Sequence, residues 1–115
     1  MGDIVRTIAV PLGRAVPANA EEASLVRELQ AGSEDAFAYL LAVYRKPIYN
    51  MVFHILGDES DAADILQNVF VKIIRGVKQF RHNSSLKTWI YRIAVHEALN
   101  YKRGWFRRRR REVSS

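Results

Sequence analysis

Cysteine is absent from the 115 residues, which removes disulfides, thiol nucleophiles and every thiolate metal site at once. That absence fits a cytoplasmic setting. No apolar run approaches the roughly 20 residues that span a bilayer, so membrane insertion is not expected. Residues 1–13 are mildly apolar but lack a basic n-region, a long h-region and a small-residue cleavage site, so no secretory signal is expected. Histidine is scarce: His54, His82 and His96 are widely spaced, and no HExxH, GxSxG or P-loop occurs. Neither catalysis nor a cofactor is expected from this inventory. Asp61 and Asp64 could be imagined as a metal-binding pair, yet acids three residues apart at a helix start are what dipole compensation alone produces.

Acidic residues run out toward the C-terminus. Residues 1–79 carry 8 Lys/Arg against 10 Asp/Glu, whereas residues 80–115 carry 10 Lys/Arg against only Glu97 and Glu112. The net +6 of the chain therefore divides into −2 and +8. A basic surplus confined to one end points to a polyanionic partner there and to something different for the rest. The length suits one domain, long enough to bury roughly 60–70% of its unfolded surface without staples.

The hydrophobic pattern is helical throughout, and no segment alternates with period two. Residues 1–20 hold Pro11, Gly13 and Pro17 without sustained periodicity and read as a flexible arm. Residues 21–31 read as a short helix with acids in its first turn, apolar Leu25, Val26 and Leu29, and a left-handed stop at Gly32. Ser33 caps a second helix whose stripe is Phe37, Leu40, Leu41, Tyr44, Ile48, Met51, Val52 and Ile55, with a kink expected at Pro47. A third helix, capped by Asp58 or Ser60, runs to about Gln79. It faces Ala62, Ile65, Leu66, Val69, Phe70, Ile73, Ile74 and Val77 inward, leaving Asp61, Asp64, Gln67, Asn68, Lys72 and Arg75 outside. A polar loop over residues 80–84 leads to a fourth helix, capped by Ser84 or Ser85 and continuing at least to Tyr101. The predicted fold class is all-α, a small bundle of about four helices.

In the last quarter Trp89, Tyr91, Tyr101, Trp105 and Phe106 are interleaved with Arg92, Lys102, Arg103 and the arginine run 107–111. Cations neutralise phosphates and release counterions, while rings stack on unpaired bases, so the combination suits nucleic acid. Trp89 falls on the apolar stripe with Ile93 and reads first as core. One reading of the chain is thus a basic helical protein that binds nucleic acid non-specifically through its tail.

Two stretches in register carry a family resemblance. Ser60-Asp-Ala-Ala-Asp-Ile-Leu-Gln-Asn-Val-Phe70 resembles the DAEDxxQEVF helix of bacterial sigma factor region 2. Phe80-Arg-His-Asn-Ser-Ser-Leu-Lys-Thr-Trp-Ile-Tyr-Arg-Ile-Ala94 resembles the FxGxSxFxTWLYRIAxN segment of the extracytoplasmic-function (ECF) group. The similarity extends over about residues 22–111. It implies a sigma region 2-like domain over residues 21–103, with residues 104–115 as a basic tail or the start of an interdomain linker. It also implies a non-catalytic transcription initiation subunit, which binds core RNA polymerase and recognises and helps melt the minus-ten promoter element.

In the family, the polar face of the third helix docks on the β′ clamp helices, which transfers to Asp61, Asp64, Gln67 and Asn68. Acids there complement the arginines of the clamp. The following loop matches the part that captures a flipped base of the non-template strand, which transfers to Arg81, Asn83 and Ser84. The fourth helix, with Lys87, Arg92, His96, Asn100 and Arg103, would meet the minus-ten element and its upstream duplex edge. An anti-sigma factor covering the same surfaces is a further implied partner. His96 stands where the motif has asparagine, Asn100 where an acid is common, Asn68 where glutamate is usual, and the glycine expected near Asn83 is missing. The second helical domain of the family, region 4, has no counterpart in these residues, so a region 2 fragment is expected.

Overall fold

The computed structural model describes residues 20–114, with side chains described for residues 20–109. The arm expected over residues 1–20 lies outside them except for Ala20. Four α-helices and no strand occur among the described residues: α1 (Ala20–Gln30), α2 (Glu34–Leu56), α3 (Glu59–Gly76) and α4 (Leu86–Ser114). A 3₁₀ turn, Val77–Gln79, tightens the end of α3. Helices α2, α3 and α4 pack mutually, and α1 lies against α2 and the 3₁₀ turn.

The helix boundaries follow local chemistry. After α1, the Gly32 amide bonds to Leu29 O and the Ser33 amide to Glu28 O, both at 3.0 Å. Gly32 sits at φ 83°, the left-handed stop that this paired closure requires. Ser33 Oγ accepts from the Ala36 amide at 3.2 Å and opens α2. Gly57, at φ 74°, closes α2. Of the two caps open for α3, Asp58 fills the role, its Oδ1 accepting from the Asp61 amide at 2.9 Å. Ser85 rather than Ser84 caps α4, its Oγ accepting from the Thr88 amide at 3.1 Å. Helix α2 runs unbroken through Pro47.

The core is continuous, from Val26 and Leu29 of α1 through Leu40, Ile48 and Val52 of α2 to Val69, Ile73, Leu86 and Ile90 of α3 and α4. Ala62 of α3 and Ala94 and Ala98 of α4 are fully buried, and their small side chains let helix backbones approach. Gly76 serves a similar purpose, since a Cβ there would sit 3.2 Å from Trp89 Cζ2. Trp89 is half-buried and lies against Phe80, with ring centroids 5.2 Å apart.

Two residues placed inside by the sequence pattern lie outside: Leu41 is 40% and Ile74 44% exposed. Each follows another apolar residue that is fully buried, and a one-residue step rotates the side chain by about 100°, so only one of each pair can face the core. Helix α4 continues through Gly104 without a break.

Candidate functional site

Residues 81–85 form a short irregular connection held at both ends by distant side chains. The Gln30 side-chain amide donates to Val77 O at 3.0 Å, a carbonyl that also accepts from the Phe80 amide, and to Phe80 O at 3.1 Å. Glu22 Oε1 accepts from the Leu86 amide at 3.2 Å, adding an anion at the positive end of α4. The path of the connection is thus fixed by α1, which reaches it across 47, 50 and 64 residues of sequence.

Within the loop Arg81 and Asn83 are exposed, whereas Ser84 is 8% exposed and its hydroxyl donates to Ser85 O at 3.0 Å. His82 has φ 59°, the left-handed region that L-residues seldom occupy. By the phenylalanine-x-glycine spacing, this is the position of the missing motif glycine, so the backbone keeps a glycine-like conformation although the side chain has changed. The imidazole turns its edge to Phe80 at 4.9 Å, and His82 Nδ1 is buried without a hydrogen-bond partner. Nothing in the residue pattern singled out His82 beyond that missing glycine.

Along α4, Arg92, His96, Asn100 and Arg103 are all exposed, and the three- and four-residue steps between them place them on one face. Leu99, 40% exposed, lies beside them. Lys87 is half-buried and lies five residues before Arg92, about 140° around the helix, so the fold does not bring it to that face.

The outward face of α3 holds exposed Asp64, Gln67 and Asn68. Asp61 sits at its edge and is half-buried, with Oδ1 accepting from the Tyr101 hydroxyl of α4 at 2.8 Å. That bond to a carboxylate favours the protonated phenol and pushes the Tyr101 pKa up. Lower on the same side, Lys72 Nζ meets Glu97 Oε2 at 2.5 Å, a second tie between α3 and α4. The α3 face also exposes Val71 (43%) and Ile74 (44%), which hydrophobic periodicity does not assign to it. A groove of about 490 Å³ beside it, between α2 and α3, is lined by Leu41, Arg45, Lys46, Tyr49, Ala63 and Leu66, among others. Among the described residues no three acidic or histidine side chains gather as a metal ion would need.

A four-helix domain with a pinned polar loop, a polar helix face and a basic helix face belongs to a defined class. The model of the family described as Sigma-70 region 2 matches residues 40–112, and the chain belongs to that family. More particularly, it is a region 2 domain of the ECF type. It is 33% identical over 81 residues to the RNA polymerase sigma-H factor of Pseudomonas aeruginosa, covering 70% of this chain and 42% of that one. To the ECF RNA polymerase sigma-E factor of Escherichia coli K12 it is 36% identical over 77 residues, covering 67% and 40%. To the ECF sigma factor SigW of Bacillus subtilis it is 32% identical over 71 residues, covering 62% and 38%. The chain thus spans about two fifths of the length of these relatives. Among solved structures, an engineered region 2 of sigmaE in complex with GTAAAA aligns with a TM-score of 0.67 and 34% identity, covering 74% of this chain and 88% of that one.

Proposed function

We propose that this chain is the part of a transcription initiation factor that docks on core RNA polymerase and reads the non-template strand of the minus-ten promoter element. The observation that carries the reading is the joint placement of the pinned loop and the basic face of α4. Arg81 and Asn83 project from a loop whose backbone is held by Gln30, Glu22 and Ser85, so they meet a ligand without first being ordered. The likeness to a sigmaE region 2 solved in complex with GTAAAA supports nucleic acid as the ligand.

In this reading an unstacked base edge meets the side-chain amide of Asn83 and the guanidinium of Arg81, while Ser84 holds the shape of the loop from inside. Arg92, His96, Asn100 and Arg103 follow the strand and its upstream edge through phosphates and base edges. Lys87 lies apart from that face, in the half-buried first turn of α4. Asp64, Gln67 and Asn68, with Asp61 at the edge, form the polymerase side and meet cationic clamp helices of the β′ subunit. An anti-sigma factor would silence the domain by covering either face.

The test is co-migration of the chain with bacterial core RNA polymerase on size exclusion, beside an Asp64→Lys, Gln67→Ala variant of equal helicity. Association by the wild type and its loss in the variant are expected. Equal association of both proteins would move the polymerase contact off α3.

A further inference from the structure

Helix α4 runs past the bundle that supports it. Among the described residues its hydrogen bonds to α2 and α3 stop at Tyr101 and Lys102, the latter donating to Ile55 O at 3.4 Å. From Lys102 to Arg109 every residue except Gly104 is exposed, yet the helix continues to Ser114. At about 100° per residue, Trp105 falls on the line of the buried Ala94 and Ala98, so the inner face of α4 goes on beyond the helices that cover it. Lys102, Trp105, Phe106 and Arg109 share this projecting face, at the i, i+3, i+4, i+7 steps by which an amphipathic helix enters a groove. Trp105 is 39% and Phe106 49% exposed, and their rings meet edge to face at 5.1 Å. The Arg109 guanidinium lies 5.0 Å from the Trp105 centroid, one turn away. The face is aromatic in the middle and cationic at both ends.

A groove of complementary character lies at the other end of α4. Helices α1 and α2, with Leu86 at the start of α4, line a space of about 770 Å³. Tyr39 and Val43, four residues apart on one face of α2, give it an exposed apolar wall beside Leu25. Glu21, Glu28 and Asp35 line it with exposed carboxylates. No lysine or arginine is among its lining residues, and none of these three acids has an ion-pair partner among the described residues.

The helix end does not reach the groove of its own chain. Phe106 stands 20 residues beyond Leu86, about 30 Å along the axis at 1.5 Å per residue, and no side chain spans that distance. We propose that the projecting end of α4 in one copy of this chain docks in the α1–α2 groove of a second copy. Trp105 and Phe106 meet Tyr39 and Val43, while Lys102 and Arg109 meet Glu21, Glu28 and Asp35. Charge selects this occupant. The helix end brings Lys102, Arg103, Arg107, Arg108 and Arg109 with no acid among them, whereas residues 1–19 carry only two arginines and one aspartate. The two surfaces differ, so each docked copy still offers one groove or one helix end, and assembly runs head to tail beyond two copies. Two helical turns bury less than the roughly 1,200 Å² of a standard interface, so the contact is weak and salt-sensitive. It involves neither the loop over residues 81–85 nor the outward face of α3.

Sedimentation velocity of the 115-residue chain without nucleic acid, from micromolar to millimolar concentration and from low to high salt, tests the contact. Four proteins are compared: the wild type, a groove variant (Glu28→Lys with Tyr39→Ala), a helix-end variant (Phe106→Ala with Arg109→Glu) and Arg103→Ala with Arg107→Ala. The last two lose the same charge but change opposite faces of α4. At low salt the weight-average mass of the wild type should climb with concentration past twice that of one chain, and high salt should return it to one. The groove and helix-end variants should each stay monomeric, and Arg103→Ala with Arg107→Ala should still associate. A mixture of the groove variant, whose helix end is intact, with the helix-end variant, whose groove is intact, should form pairs and nothing larger. Formation of those pairs also shows that both variants fold. A wild type that stays monomeric throughout overturns the proposal and leaves the groove to residues 1–19 or to a cationic helix of another protein. Association that survives in the groove variant, or a mixture that stays monomeric, overturns it as well.

Discussion

The Tyr101 hydroxyl donates to Asp61 Oδ1 at 2.8 Å, tying the last supported turn of α4 to the first turn of α3. Asp61 therefore has a task inside the domain, whereas Asp64, one turn on, is exposed. The two acids, equivalent in the sequence, differ in partner and exposure. Asp61→Ala should lower the melting temperature, as should Tyr101→Phe, and the double variant should lose less than the sum of the two single losses. Asp64→Ala should leave the melting temperature unchanged and weaken polymerase association. Thermal melts beside a polymerase pull-down decide the matter, and additive effects of Asp61→Ala and Tyr101→Phe would show that the bond carries no stability.

Asn83 and Ser84 are adjacent but face opposite ways, so their alanine variants should fail differently. Asn83→Ala removes an exposed amide and should reduce discrimination between the element and a scrambled strand by about 1–3 kcal/mol at unchanged stability. Ser84→Ala removes the donor to Ser85 O and should cost about 0.5–1.5 kcal/mol of stability. Its effect on discrimination should be smaller than that of Asn83→Ala. Fluorescence anisotropy with the two strands and a urea titration separate the effects, and the reverse assignment would place the readout on Ser84.

His82 offers a test of backbone strain. Its φ of 59° is open to glycine and unfavourable for residues with a Cβ. Changing His82 to either Ala or Gly removes the imidazole contact with Phe80, so comparing the two variants isolates the backbone. His82→Gly should be more stable than His82→Ala by about 1 kcal/mol, the reverse of the order inside a helix. Equal midpoints in urea would show that the loop relaxes out of the left-handed conformation once the ring is gone.

What the sequence made legible was local or periodic. The cap Ser33, the stop Gly32 and the stripes of α1 to α4 all lie within a few residues of the feature they define. Leu41 and Ile74 were misplaced because periodicity marks a stripe but not its edges. Lys87 stands about 140° around the helix from Arg92, a separation that listing the cations of α4 together does not reveal. The candidate loop was legible as a motif, while its support was not. Gln30 reaches Phe80 across 50 residues and Glu22 reaches Leu86 across 64, and no spacing rule connects such pairs. The choice between Ser84 and Ser85 as cap depended on which hydroxyl the turn directs inward.

Gly104 lies inside α4, where an added Cβ would meet only Arg108 Nη1, at 3.8 Å. That is ordinary contact distance, so alanine fits without displacement. Glycine in an exposed helix interior costs about 0.5–1 kcal/mol relative to alanine. Gly104→Ala should therefore strengthen the projecting segment, seen as greater helicity by circular dichroism and slower amide exchange over residues 102–109. No change in exchange would mean that the arginine and tryptophan contacts already hold the segment fully helical.

Tyr44 gives the domain a dependence on alkaline pH. Burial lifts its phenol from the ordinary 10 to about 12, with Tyr91 and Glu22 adding to the rise. The ring of Tyr91 stands edge-on to it at 6.3 Å, so the side chain is held in place by packing. The protonated form is favoured in the folded protein. Its contribution is therefore fully present below pH 10 and is lost as the pH climbs from 10 through about 12. Tyr101, raised by its bond to Asp61, acts in the same direction. Urea midpoints measured at pH 8, 10 and 11.5 should fall steeply over the last interval for the wild type. Tyr44→Phe keeps the ring and removes the proton, so its midpoint should fall less over that interval. A fall as steep as that of the wild type would assign the alkaline loss to other groups.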